Sequence, residues 1–250
     1  MFEEHSALYE VEDNCKLWQY MSFSKFVNLL LGKMYFRRID SFEDVFEGTW
    51  PQLNKKYIKY VKENENETIG QFDNIARKLL YVSCFHQADE ETAFMWKQYA
   101  DKDGVAILTS SKRIKKSFHL TKSPVYLSRV KYIDYNCEPI YDMGNMFSLV
   151  IHKRKSFQYE KEVRCISLLN DLYTDSGINE KYIIDKGKGN KLDFERLPVG
   201  IKVDIDLLHL IEKVYISPYA DNYIWENVKA WMEMKHLDVE TVKSELYSIK

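Results

Sequence analysis

Apolar positions recur along this chain with two different periods, and the two patterns interleave from end to end. A period of two marks 16–21, 34–39, 81–86, 105–109, 201–205 and 213–216 as strands, and the β-formers Tyr126, Val130 and Tyr132 extend that reading to 125–135. Helical spacing predicts a helix after Ser22 carrying Phe23, Phe26, Val27, Leu30 and Leu31, closed by Gly32. Two more helices follow, one striped by Leu53, Tyr57, Tyr60 and Val61, the other by Ile69, Phe72, Ala76, Leu79 and Leu80, with a polar loop at 63–67 between them. A helix through Ala93, Trp96 and Ala100 is expected, capped by Asp89, and another over 143–157. The last helix, introduced by Pro218 and Asp221, carries Ile224, Val228, Trp231 and Met232 on one side. The stretch 170–198 is polar and rich in turn residues, and reads as a flap or hairpin. Irregular alternation without repeats or linkers predicts one mixed α+β domain over 1–250, with 51–80 as a helical insertion.

The segment 157–164, FQYEKEVR, followed by the apolar run 165–169, carries the most chemistry. Read as a strand, it places Glu160, Glu162 and Arg164 on one face and Tyr159, Val163 and Cys165 on the other. Two carboxylates so close repel unless a cation lies between them, and the apolar continuation predicts a central, buried strand. Buried charges need partners, so this face is a candidate site. By the same period Ser83 and Phe85 share one face of their strand, and Cys84 and His86 the other. A core cysteine near a surface histidine is the expected reading there. Gly187-Lys-Gly-Asn-Lys191 lacks phosphate-loop spacing and reads as a plain loop. Lys112, Arg113, Lys115 and Lys116 read as a solvated helix face, able with Lys122 to form a modest anion patch.

Composition narrows the function class. At 250 residues, 45% hydrophobic and 30% charged, the chain is an ordinary globular protein with unusually many Tyr (18) and Phe (13). A net charge of −2 excludes a broad basic surface for nucleic acid. Four scattered cysteines and six scattered histidines give no zinc-ligand spacing, so no metal is expected. The acidic start Met-Phe-Glu-Glu-His is unlike a signal peptide, and no apolar run reaches the ~20 residues that span a bilayer, which predicts a cytoplasmic protein without membrane contact.

Several separated motifs occur in a fixed order: 17–22 LWQYMS, 34–36 MYF, 41–47 SFEDVFE, 82–85 VSCF, 95–100 MWKQYA, 104–107 GVAI, Lys155 with 159–164 YEKEVR, and 216–218 ISP. Together they resemble the mainly bacterial domain-of-unknown-function 2971 family over roughly 16–247. That layout is in turn similar to the ADP-ribosyltransferase arrangement, which implies a central, largely antiparallel split β-sheet flanked by helices. Carried over, the resemblance puts Gln19 or Tyr20 at the first site position, Ser83 at the second, and Glu160 with Glu162 at the third. Gln19 departs from the His or Arg of that pattern. It implies NAD as substrate, with Glu162 stabilising positive charge on the ribose and Glu160 orienting or deprotonating the acceptor. Gln19, Tyr20, Ser83, Phe85 and Arg164 would line the nucleotide site. The role implied is that of a toxin or phage-defence effector with a macromolecular acceptor. Two other classes stay open: a non-catalytic nucleotide- or protein-binding module, and a metal-dependent nuclease using Asp44, Glu47, Glu160 and Glu162.

Overall fold

A computed structural model describes residues 1–64, 75–169, 173–174, 177–183 and 192–247. The predicted positions Ile69 and Phe72, residues 65–67 of the polar loop, residues 170–172, 175–176 and 184–191 of the flap, and with them the 187–191 loop, lie outside the described residues.

The fold is α+β, built on a large, mostly antiparallel sheet. Its strands are β1 (Lys16–Ser22), β2 (Lys33–Arg38), β3 (Leu80–Gln87), β4 (Gly104–Ser110), β5 (Val125–Arg129), β8 (Glu162–Leu168), β11 (Gly200–Asp204), β12 (Lys213–Ile216) and β13 (Thr241–Lys243). The path runs β11-β2-β3-β1-β4-β12-β13, and β8 carries β5 against the other edge of β3. Among the described residues β12 and β13 are the pair of named strands that runs parallel within it, and a single parallel bridge joins Phe2 to Val125 of β5. Separate two-stranded pairs join β6 (Lys131–Ile133) to β7 (His152–Arg154) and β9 (Tyr173–Thr174) to β10 (Gly177–Ile178).

The feature that positions the site is a fork at β3. β8 pairs with β3 along its whole length, from Leu80↔Leu168 to His86↔Glu162. Both other neighbours must therefore share the remaining edge. β2 takes one end through Arg37↔Val82 and Arg38↔Tyr81, and β1 takes the other through Leu17↔Gln87 and Trp18↔His86. The sheet thus splits beside residues 83–85, as the resemblance implied.

Helices α1 (Phe23–Leu29), α4 (Ser111–Ser117) and α6 (Asn222–Met234) contribute to one core with Leu17, Phe85, Val105, Ile107, Val163 and Cys165. The opposite face carries two cores. Helix α3 (Ala93–Tyr99) packs Met95 and Trp96 on Trp18, Tyr20, Ala106 and Leu108. Beyond the fork, Leu80, Val82 and Ile166 pack with Ile133, Phe147 and Leu149. Transfer of apolar area drives all three.

Several expectations are corrected. The stretch 143–157 is not a helix: it forms a 3-10 turn (Met146–Leu149), strand β7 and a second 3-10 turn (Lys155–Glu160). Its helical spacing comes from Phe147, Leu149, Val150 and Ile151, which are buried together without a continuous helix. The run 125–135 breaks at Val130, where β5 ends and β6 leaves the main sheet. Helix α2 (Gln52–Asn64) exposes Leu53, Tyr57 and Tyr60, and it attaches instead through Ile58 and Asn54. The Asn54 amide both donates to the Ile140 carbonyl (2.7 Å) and accepts from the Ile140 N–H (2.9 Å). Thr92, not Asp89, stands at the N-cap of α3. Among the described residues no helix is long and apolar enough to cross a membrane.

Candidate functional site

Strand β8 starts at Glu162, not at Glu160. Glu160 closes the preceding 3-10 turn, and Lys161 between them adopts the left-handed conformation (φ 40°). That reversal re-aims the chain so that both carboxylates still meet one cation. Lys153 Nζ lies 2.5 Å from Glu160 Oε2 and 3.3 Å from Glu162 Oε2, with Glu47 Oε1 at 3.8 Å. Arg164, fully buried, donates to Glu162 Oε2 (2.7 Å), to Glu47 Oε1 and to the Val150 carbonyl (2.8 Å). The Tyr99 hydroxyl donates to Glu160 Oε1 at 2.9 Å, and the Glu162 N–H donates to the Tyr132 hydroxyl at 2.8 Å.

Three buried carboxylates thus face two buried cations, leaving one negative charge in excess when all are ionised. Buried ion pairs recover their desolvation cost only with good geometry and added hydrogen bonds, and this cluster has both. The environment separates the two strand-start carboxyls. Burial alone would raise Glu162, but the Arg164 and Lys153 charges override it and bring its pKa to about 2. Glu160 is raised instead, by burial and then by the Glu162 charge, against the opposing pull of Lys153 and Tyr99. One carboxylate is held ionised while its neighbour is pushed towards the protonated form.

His86 opposes Glu162 on β3 and is buried, contrary to the surface position expected for it. Its Nδ1 lies 2.6 Å from the Glu160 carbonyl and can only donate there, so Nε2 presents a lone pair. Burial lowers its pKa, which keeps the ring neutral. His86 Nε2, Glu47 Oε2 and Arg164 Nε are buried with no hydrogen-bond partner among the described residues. Cys84, opposite Arg164, has its thiol pushed well up by burial and by Glu162, which argues against a nucleophilic role.

Pairing register decides which predicted residues share this face. Trp18 opposes His86, and Tyr20 lies one pleat further along β1 on the same side, edge-on to Trp96 (5.0 Å) and near His86 (6.4 Å). Tyr20 therefore stands beside the charge cluster, and its hydroxyl accepts from the Thr92 N–H (3.0 Å). Gln19, Ser83 and Phe85 point the other way. Ser83 opposes Cys165, Phe85 opposes Val163, and Gln19 donates to Ser83 Oγ at 2.9 Å. Placing Ser83 and Gln19 in one cleft with Glu162 is corrected: they meet each other, on the opposite face of the sheet, and Phe85 is core rather than a stacking wall. The one-residue offset follows from the strand period of two. Cys84 and His86 are the β3 side chains that reach the cluster.

Lys153 went unseen because its segment reads as helix. Glu47 enters the sequence reading as a site residue only through the nuclease alternative, and it lies 117 residues from its partner Arg164. The nuclease arrangement is not met: Glu47, Glu160 and Glu162 converge on Lys153 and Arg164, while Asp44 pairs with Arg154 (2.8 Å). Half-exposed rings surround the cluster. Phe94 meets Tyr159 edge-on at 4.6 Å, and Phe157 covers Lys153 at 4.8 Å. Arg154 lies 4.3 Å from the Phe46 ring. Such a rim can hold a planar heterocycle over a negatively biased floor.

Residues 95–165 match the family model described as protein of unknown function (DUF2971), a span that encloses the tryptophan segment and the E-x-E-x-R segment. Two solved structures are similar to the chain. Thermus sp. 2.9 DarT in complex with ADP-ribosylated ssDNA gives a TM-score of 0.41 at 7% identity, over 95% of this chain and 98% of that one. Thermus sp. 2.9 DarT in complex with carba-NAD+ gives 0.36 at 8% identity, over 93% and 96%. No curated protein matches the chain.

Proposed function

We propose that the chain cleaves the nicotinamide N-glycosidic bond of NAD, as an ADP-ribosyltransferase or an NAD glycohydrolase. The observation that carries this reading is the division of labour between two carboxyls beside the fork of the sheet. Glu162 is held ionised, and Glu160 is raised towards the range of a proton-transfer group. Breaking the bond from ribose C1′ to the pyridinium nitrogen releases neutral nicotinamide and leaves oxocarbenium-like charge on the ribose. Glu162 stabilises that charge. An acceptor hydroxyl or water then bonds to C1′, and its proton passes to ionised Glu160. Tyr20, Tyr99 and the lone pair of His86 Nε2 supply the aromatic wall and an acceptor for the carboxamide. Under this reading the chain is an effector of the toxin or phage-defence kind.

A second reading, a nucleotide-binding module without catalysis, has one observation in its favour: Glu162 is already held by two cations and is only 8% exposed. Nicotinamide release from NAD, measured chromatographically with the protein alone and with cell lysate, separates the two. Release that Glu162→Gln and Glu160→Gln abolish while both variants stay folded is the expected result. A folded wild-type protein that releases none but shows saturable NAD binding by ligand-observed NMR establishes the binding module instead. Failure of both release and binding overturns the two together.

A further inference from the structure

We infer that His119, Asp206 and His209 form a binding site for one divalent transition metal of the zinc class, with a fourth position open to solvent. The site lies where the turn after α4 meets residues 206–209, and it rests on nothing in the NAD reading. It is the one trio among the described residues whose ligand atoms all lie within 4.8 Å of one another.

The argument begins with a tautomer. His119, in the 3-10 turn after α4 (Phe118–Leu120), has Nδ1 3.1 Å from the Lys116 carbonyl. A carbonyl can only accept, so Nδ1 carries a hydrogen, and in the neutral ring that a metal requires Nε2 presents its lone pair. A backbone carbonyl behind the non-ligating nitrogen is the usual support for a metal-bound imidazole. That nitrogen lies 3.7 Å from Asp206 Oδ2, too far for a hydrogen bond. His209 Nδ1 approaches the same oxygen at 2.9 Å. With metal–nitrogen and metal–oxygen lengths of about 2.0–2.2 Å, the wider gap subtends about 125° and the narrower about 90° at one ion. These angles bracket the tetrahedral value, and both rings are half-exposed.

The three residues are held for the purpose. Asp206 Oδ1 accepts from the His209 N–H at 3.0 Å as the N-cap of helix α5 (Leu207–Leu210), which leaves Oδ2 for the ring nitrogens. The Asp206 N–H donates to the Ser117 carbonyl (2.8 Å). Arg113 on α4 donates to the carbonyls of Leu208 (2.8 Å) and Ile211 (2.6 Å), fixing α5 against α4. Thr109 adds a bond to the Leu210 carbonyl at 2.5 Å. Two imidazoles and one carboxylate are a borderline donor set that suits zinc and leaves a position for water. Linear spacing hid the site, because its two histidines are 90 residues apart in the chain.

The test uses the full chain, stripped with a chelator and titrated with zinc chloride by calorimetry and with cobalt chloride by visible absorption. Expected are one saturable equivalent, a cobalt spectrum of four-coordinate intensity, and at least tenfold weaker binding in His119→Ala, His209→Ala and Asp206→Asn. The asparagine retains the helix cap, so its folded state is preserved. No saturable binding by the wild type, or binding equally strong in both histidine variants, overturns the assignment.

Discussion

Replacing Glu162 by Gln removes the charge at the centre of the buried cluster while keeping the side chain's size and one acceptor oxygen. Its cost can be worked from the carboxyl's own titration. Depression from the ordinary 4.5 to about 2 corresponds, at about 1.4 kcal/mol per tenfold change, to about 3 kcal/mol of stability at neutral pH. Because the folded-state value lies below the unfolded one, this stabilisation is complete above about pH 4.5 and is withdrawn as pH falls towards 2. The variant also leaves Arg164 with only Glu47 as an anionic partner and brings an amide near Lys153. For a chain of this length, about 3 kcal/mol lowers the melting temperature by about 6–12 °C. Calorimetric melting of wild type and variant at pH 7, with chemical unfolding repeated at stepwise lower pH, gives the comparison. A Tm within about 2 °C of wild type at pH 7 would refute the claim that Glu162 is ionised and paired. So would a difference that fails to narrow between about pH 4.5 and 3.

Arg164→Met leaves Glu47 and Glu162 buried with Lys153 as their one remaining shared cation, and denaturant titration should register a loss of about 3–5 kcal/mol. Combined with Glu162→Gln, it should cost less than the two separate losses together, which a double-mutant cycle measures. Tyr99→Phe removes the hydroxyl that lowers Glu160, so the Glu160 carboxyl rises further, and any limb of a pH–rate profile governed by it moves to higher pH. The stability cost should be about 1 kcal/mol, because Tyr99 is partly exposed. Gly104→Ala places a methyl 2.3 Å from the Ala100 Cβ and 2.6 Å from its carbonyl oxygen, and thermal melts should show about 1–3 kcal/mol lost. At Gly200 the three atoms nearest an added methyl all belong to the exposed ring of Tyr35, which can swing aside, so Gly200→Ala should cost less than about 1 kcal/mol.

What could be read from the chain follows from how local each signal is. Strands β1, β2, β3, β4 and β12 and helices α1, α3 and α6 carry their own periodicity, and the structure places them within a residue or two of the expectation. The central position of β8 was legible because its apolar run is continuous on both faces. The stretch 143–157 failed for the opposite reason. Its apolar residues are buried by neighbours distant in sequence, so spacing that suits a helix is satisfied by turns. The charge cluster was half legible. Glu160, Glu162 and Arg164 stood out as charges on a buried strand, whereas Lys153 and Glu47 join them only through tertiary contacts. Register explains the remaining error. Facing Ser83 towards Glu162 requires a slip of one residue, and nothing in one strand's sequence fixes the pairing of another.

Lys161 turns the relation between fold and site into something separable. A residue with a side chain in the left-handed region costs about 1–2 kcal/mol, and glycine would avoid it. The strain sits in one exposed residue just ahead of β8, tied to the end of β3 by the Gln87 N–H, which donates to its carbonyl at 3.0 Å. A glycine there would relieve the strain and let Glu160 wander from Lys153 while β8 kept its place. The chain could then gain stability and lose the paired carboxyls in one step. Stability selected alone would erode this position first, and retention of a bulky residue at it in other chains of this kind would record selection for the site.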